Sequence, residues 1–465
     1  MTERLVVVGG DAAGMTAASR VKQMRGDEVE VVVLEQGSYT SYSACGIPYW
    51  VAGDVASADR LVARTPERHR SNGIDVRLHT RATALDLDRR QVSVEGGEPV
   101  AYDQLLVATG AVPLRPDLPG LDAPNVVGVQ TLDDGARVHE MLGATEASAP
   151  SGGTGGPDSA RMPQPRDAVV IGAGYIGIEM AEALVRRGYA VTVVDKAPQP
   201  MTTLDPELGR IVAEAMQGMG IGLACGVSVE EVETDAEGVA TGVRAGGSTY
   251  PADVVVLGMG VRPRTELARE AGLPLGDSGG VRVDDRMRVE GYDGLWAAGD
   301  CVESWDRIAQ RWVHVPLGTH ANKQGLVAGF NLAGRDGRFP GIVKTAMSKV
   351  CDLEVARTGL GEAEAADLGR DVLTATIETT TRAGYFPGTR PMTVRLMCER
   401  ADGRLLGAQI VGREGAAIRI DTCATALWAG LTAEEIVMSD LGYAPPFSSV
   451  WDPVQVAARA LVSQM

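Results

Sequence analysis

The sequence predicts an α/β protein with two units of alternating strand and helix, followed by a smaller α+β unit. Three observations carry that reading. A strand–glycine turn–helix–strand pattern opens the chain, and a second one begins at Ala168. Beyond Gly341, short alternating strands continue without a glycine-rich turn of that kind. At 465 residues, the chain has room for about three domains at ~150 residues each.

The first unit reads as a strand over residues 5–8, a turn at Gly9-Gly10, a helix over 12–24 and a strand over 29–34 ending at Glu35. Apolar runs that flank a helical period make a βαβ unit. The second unit repeats it with a strand over 169–171, the turn Gly172-Ala173-Gly174-Tyr175-Ile176-Gly177, a helix to 187 and a strand over 191–194 ending at Asp195. Gly172, Gly174 and Gly177 fit G-x-G-x-x-G. The first permits the tight turn, the second lets the backbone approach a pyrophosphate, and the third lets helix and strand pack closely. The helix N-terminus then faces the negative charge. With a strand before it, a helix after it and an acid at the next strand's end, this turn predicts a bound dinucleotide and not a chance glycine turn. Asp195 can accept from both ribose hydroxyls and repels a 2′-phosphate, which favours NADH. Lys196 beside it keeps NADPH possible.

The first loop, Gly9-Gly10-Asp11-Ala12-Ala13-Gly14, departs from the pattern because Asp11 takes the middle-glycine position. A carboxylate beside a pyrophosphate is tolerable only if its side chain turns away. Glu35 follows Gly14 at about the ~20-residue spacing of such units, so this loop also reads as a nucleotide site, with a plain βα turn as the alternative. The fold class is therefore α/β with two Rossmann-like dinucleotide-binding domains. The first is expected over 1–120 and again over 289–338, and the second over 121–288 between them. The α+β unit spans 339–465, with strands near 393–398 and 405–411 and a helix near 418–429.

Residues 146–166 are rich in Ser, Gly and Pro and read as a flexible surface insertion without a core of its own. Acidic residues outnumber Lys and Arg by 61 to 44, a formal charge of −17. Such a surface repels nucleic acid and anionic membrane. No apolar run reaches the ~18 residues of a membrane span. The first apolar run passes straight into Gly9-Gly10, so it reads as a strand and not a signal peptide. The six cysteines form no C-x-x-C pair and no zinc spacing, so no metal and a reducing, cytoplasmic setting are expected.

One cysteine stands apart. In Ser41-Tyr42-Ser43-Ala44-Cys45-Gly46-Ile47-Pro48-Tyr49, Pro48 fits an early helical position. Cys45 then lies at a helix N-terminus, where a thiol is expected to ionise more readily and act as a redox centre. The alternative, a buried structural cysteine, is the reading for the other five.

Two further segments carry a resemblance. Residues 102–110 form an apolar strand ending in Ala108-Thr109-Gly110, and residues 294–300 one ending in Gly299-Asp300. In this order they resemble the two FAD fingerprints of flavoproteins with two dinucleotide-binding domains. The resemblance implies that Asp300 bonds the flavin ribityl chain and Glu35 the adenosine ribose. It adds Ala82, Thr109, Gly110 and Gly260 to the cofactor-binding candidates, beside Gly9, Ala12, Ala13 and Gly14 of the first loop and Tyr175, Ile176 and Glu179 of the second unit.

The Cys45 segment resembles the single-cysteine branch of the pyridine nucleotide–disulfide oxidoreductases, whose motif reads Ser-Phe-x-x-Cys. Within that branch the chain is most similar to coenzyme A disulfide reductases. The segments 442–448 and 384–388 resemble that group's Tyr-Ala-Pro-Pro-Phe-Ser and Tyr-Tyr-Pro-Gly segments. This implies a homodimer in which Tyr443 and Tyr385 reach the other subunit's Cys45 as catalytic residues. Phe386 and Phe447 are read as packed aromatics. It also implies that Tyr175 gates the nicotinamide face and Glu179 helps to position it. Two positions depart from the group, Ala44 where Asn is common and Trp451 where Lys is common. Arg20 and Lys22, with Arg25 beside them, are substrate-phosphate candidates as against a solvated helix face, and Ser41 and Asn322 join them. The peroxidases and water-forming oxidases of the branch carry a His next to the last glycine of the first loop, where this chain has Ala13.

The implied activity is electron transfer from NAD(P)H through FAD and Cys45 to a low-molecular-weight disulfide or persulfide, coenzyme A disulfide foremost. The alternatives are an NADH oxidase or peroxidase that cycles Cys45 through sulfenic acid, and a flavoprotein redox sensor.

Overall fold

The computed structural model describes residues 2–147 and 166–465. The insertion expected at 146–166 therefore lies almost wholly outside the described residues. A parallel sheet is formed by five strands in the spatial order Leu295–Ala297, Gln104–Val107, Glu3–Val8, Val29–Leu34, Ile74–Arg77. Its edge strand comes from the far side of the second unit, so the first unit is interrupted in sequence and closed in space. Leu5 to Val8 and Val31 to Leu34 are all buried, as a parallel sheet covered on both faces requires. Helix Ala12–Arg25 lies against helix Gly318–Leu332. Glycines permit that close crossing. A Cβ added to Gly325 would stand 2.8 Å from Ala13 Cα, and one on Gly329 would stand 3.0 Å from Ala17 Cα.

A second parallel sheet runs Gly222–Cys225, Tyr189–Asp195, Arg166–Ile171, Val254–Leu257, Val126–Gly128. The antiparallel strands Val229–Thr234, Ala240–Ala245 and Ser248–Pro251 share a core with it. Ala111–Pro113 and Val261–Pro263 pair antiparallel and link the two units. The C-terminal unit is an antiparallel sheet in the order Ala346–Val350, Leu353–Gly359, Leu405–Gly412, Pro391–Glu399, Val372–Thr380. Helices Ile420–Ala429, Ala433–Met438 and Pro453–Val462 complete its core. Arg395 of this sheet is 8% exposed and donates from Nε to Asp205 of the second unit at 2.8 Å. It also pairs with Glu207 and Glu362. A buried guanidinium is tolerable only with such compensation, and here it fixes the seat of the C-terminal sheet on the second unit. Among the described residues no helix is long and apolar enough to cross a membrane.

Candidate active site

The two glycine loops open onto one cleft of about 3490 Å³. In the second loop Gly172 has φ +107, and a Cβ there would stand 2.4 Å from the Gly258 carbonyl oxygen. A Cβ on Gly177 would stand 2.0 Å from the Gly172 carbonyl oxygen, so the third glycine serves helix–strand packing. Gly174, by contrast, has nothing nearer than 4.0 Å and lines the cleft. That is the open approach a pyrophosphate needs. Asp195 accepts from the Ala173 N–H at 2.6 Å and the Ala197 N–H at 2.7 Å. Carboxylate lone pairs remain for ribose hydroxyls.

The first loop has the same construction. Gly9 has φ +111, and a Cβ would stand 2.1 Å from the Ala108 carbonyl oxygen; one on Gly14 would stand 2.0 Å from the Gly9 carbonyl oxygen. Glu35 accepts from the Gly10 and Gly37 N–H groups, each at 2.7 Å. The odd residue, Asp11, accepts from the Tyr42 N–H at 3.1 Å. Its carboxylate therefore serves the redox segment. Burial foremost, with Glu35 and Asp300 adding to it, pushes Asp11 up to about 7.

Ala44–Gly46 form a 3₁₀ turn that runs into helix Ile47–Ala52, with Pro48 in its first turn. Cys45 opens onto the cleft. Its thiol is pushed up by burial against the cleft walls first, then by Glu179 and Asp300. The expectation of a readily ionised thiol is corrected: the following helix has six residues, and its N-terminus is outweighed by burial and by carboxylates from three other segments. Ser41, held at φ 50, lines the cleft and pairs through Oγ with His69 Nε2 at 3.0 Å.

Around Cys45 the cleft also takes in Ala12, Ala82, Thr109, Gly110, Tyr175, Ile176, Glu179, Gly260, Asp300 and Asn322. Thr109 Oγ1 donates to the Arg264 carbonyl at 2.6 Å. Burial pushes Asp300 up to about 6. Burial likewise pushes Glu179 up to about 7, against a 2.6 Å hydrogen bond from Ser348. Asn322 accepts from Thr16 at 3.0 Å. These glycine cradles and strand-end acids fit one dinucleotide at each loop of the cleft that Cys45 also lines.

Other candidates lie elsewhere. Ala13 is buried and packed against Gly299 and Gly325. Lys22 Nζ pairs with Asp27 at 3.1 Å and stands off the cleft, which corrects its reading as a phosphate ligand. Arg20 stacks on Phe330 at 5.0 Å, also outside the cleft lining, and Arg25 pairs with Glu3 and Glu28. Tyr385 and Tyr443 are exposed and hydrogen-bond each other, and within one chain neither lines the cleft that Cys45 lines. Phe447 is 76% exposed and not packed as expected. Of the five other cysteines, Cys225 and Cys351 are only half-buried.

Ser348, His314 and Gly258 were not singled out from the sequence, yet all three line the cleft. A glycine directly after an apolar strand is a usable signal for Gly258. His314, whose Nε2 lies 2.8 Å from the Asp300 carbonyl oxygen, and Ser348 stand in no motif.

The pyridine nucleotide-disulphide oxidoreductase family matches residues 3–325, and its dimerisation domain matches residues 345–454. A curated relative, the NAD(P)H sulfur oxidoreductase (CoA-dependent) of Pyrococcus furiosus, is 37% identical over 99% of both chains. An NADH oxidase of Methanocaldococcus jannaschii is 34% identical over 99% of both. The solved structure of a NAD-dependent persulfide reductase from A. fulgidus superposes with a TM-score of 0.92 at 35% identity, covering 99% of this chain and 83% of that one.

Proposed function

This chain belongs to the pyridine nucleotide-disulphide oxidoreductase family, and on that premise we propose that it reduces a low-molecular-weight disulfide or persulfide, coenzyme A disulfide foremost, at Cys45. Membership implies FAD and a nicotinamide nucleotide, and the choice of NADH over NADPH rests on Asp195. The observation that carries the reading is the single cleft that places Cys45 with both glycine loops. Among the described residues no second cysteine lines it. Hence the partner sulfur must come from the substrate.

FAD would be held by Gly9, Gly14, Glu35, Thr109, Gly110 and Asp300, and the nicotinamide nucleotide by Gly172, Gly174, Gly177 and Asp195. Bound FAD supplies the two-electron relay between nicotinamide and sulfur, which side chains lack. The chain's own contribution is sulfur exchange. The Cys45 thiolate attacks one substrate sulfur, forms a mixed disulfide and releases the first thiolate. Two electrons from NAD(P)H then split that bond, releasing the second thiol and restoring the Cys45 thiolate. In sum, RSSR, NAD(P)H and a proton give two RSH and NAD(P)⁺; a persulfide gives RSH and H₂S. A thiolate made by reduction in a site that disfavours its charge is strongly nucleophilic, because nucleophilicity rises with thiol pKa.

Tyr443 and Tyr385 would stabilise the departing thiolate from the partner subunit. Mixing Cys45→Ser and Tyr443→Phe subunits tests this. Verified heterodimers should regain activity, and failure to regain any removes the tyrosines from the mechanism.

The kinship with an NADH oxidase favours a second reading, in which Cys45 cycles through sulfenic acid. Against it, Ala13 stands where the oxidases' His would be, packed between Gly299 and Gly325. Mass spectrometry of the purified protein decides. A thiol adduct on Cys45, with faster NADH consumption on a disulfide than on oxygen, is expected. A sulfenic acid and no response to disulfides would overturn the reductase reading.

A further inference from the structure

Glu179 and Ser348 come from different units and meet in the cleft. Glu179 is on helix Tyr175–Arg186, and Ser348 is on strand Ala346–Val350 of the C-terminal sheet. The Ser348 hydroxyl donates to Glu179 Oε1 at 2.6 Å, and both residues line the cleft. Next to it, Lys349 Nζ pairs with Glu182 at 2.7 Å, and the Cys351 N–H donates to the same carboxylate at 2.8 Å. These contacts tie one strand to one face of one helix. Only the Ser348 contact ends on a carboxylate that faces the cleft.

We propose that Ser348 is a positioning residue for the nicotinamide half of the reaction: by holding one oxygen of Glu179 it aims the other at the nicotinamide carboxamide and favours the carboxylate's charged form. This rests on the reading of Glu179 as the group that positions the nicotinamide. A carboxylate fixed through one oxygen keeps the second free to accept an amide N–H, whereas a protonated carboxyl has lost part of its acceptor capacity to an O–H and accepts that donor more weakly. A charge-assisted bond of this kind is stronger than a neutral one.

The surroundings make one hydrogen bond decisive. Burial, and Glu182 on the same helix, oppose the charge of Glu179; Ser348 and Lys349 favour it. From the redox segment, Cys45 and Tyr49 face it and are pushed up by burial first and then by its charge. The Arg186–Asp54 pair, at 2.5 Å, closes the far end of the same helix–helix contact. With the carboxyl poised at about 7, its charge at neutral pH depends on its hydrogen-bond donor.

The test is anaerobic rapid mixing of the FAD-loaded protein with NADH between pH 5.5 and 9, following flavin reduction. In wild type the rate should rise as Glu179 ionises. Ser348→Ala should move the midpoint up by about one pH unit, the effect of losing a hydrogen bond to a charge. KM for NADH should rise below that midpoint, and the rate at high pH should be retained. Ser348→Thr, which keeps the donor, should restore the profile. Glu179→Gln should flatten it. If Ser348→Ala lowers the rate equally at every pH, or leaves the midpoint in place while Glu179→Gln flattens the profile, Ser348 has no positioning role and the reading of Glu179 survives. A pH profile unchanged in Glu179→Gln would overturn both.

Discussion

The two glycine loops share one backbone construction and part company at the middle-glycine position. In each, the first glycine is left-handed against a neighbouring strand's carbonyl oxygen, and the last would clash with the carbonyl of the first. In each, the strand-end acid accepts one N–H from the loop and one from two residues beyond itself. They differ at Asp11 against Gly174. Gly174 leaves its side open to a ligand, while Asp11 sends a carboxylate to the Tyr42 N–H in the segment that carries Cys45. The difference teaches that a substitution weakening a phosphate-loop pattern can serve a second task. On the proposed reading the second loop would hold a nucleotide, while the first also anchors the redox turn through Asp11.

Breaking the shared feature should have the largest effect. Gly172→Val forces a β-branched residue into a left-handed, crowded position. NADH-driven flavin reduction should fall by about 100-fold or more, equivalent to roughly 3 kcal/mol of lost binding, while FAD stays bound. Gly9→Val should instead yield protein without FAD. Absorbance spectra and rapid-mixing rates separate the two outcomes, and equal loss of FAD in both variants would contradict the division of labour between the loops.

The strand-end acids sharpen the comparison at lower cost. Asp195→Ala removes a carboxylate that repels a 2′-phosphate. The NADPH-to-NADH ratio of kcat/KM should rise about tenfold, or roughly 1.4 kcal/mol. A wild type that prefers NADPH would show that Lys196 overrides Asp195.

Asp11 gives the smallest effect and carries a pH signature. Its carboxyl is raised from 3.8 to about 7, so the folded chain binds that proton more tightly than the unfolded chain does. The stability it contributes is complete below pH 3.8 and is lost as pH rises through about 7. Asp11→Asn has no such loss. In FAD-free protein, the Tm of the variant should therefore gain on that of wild type between pH 4 and pH 7. Parallel curves would show that Asp11 is not held neutral.

Much of this was legible in the sequence because it is local. Glu35 in the first βαβ unit, and Gly172, Gly174, Gly177 and Asp195 in the second, announce themselves through spacing within their own unit. Cys45 does so through the Pro48 turn. What converges from afar was not legible. Cys45 stands beside a short helix in the sequence, but burial in the cleft foremost, and then Glu179, Asp300 and Asp11 brought near by the fold, reverse the expected effect on its thiol. Ser348 sits in an ordinary strand, and nothing local reveals that its hydroxyl crosses to Glu179. Lys22 carries the charge a phosphate needs, but its partner Asp27 comes from the turn after its helix, and Lys22 does not line the cleft.

The central claim is that Cys45 is the sulfur through which electrons leave the cleft. The most direct measurement separates the half-reactions in FAD-loaded Cys45→Ser. Flavin reduction by NADH should proceed near the wild-type rate, because it needs only the nicotinamide site. Reoxidation by a disulfide should be lost, because it needs a sulfur that can exchange. A Cys45→Ser protein that reduces disulfides at the wild-type rate would contradict the account.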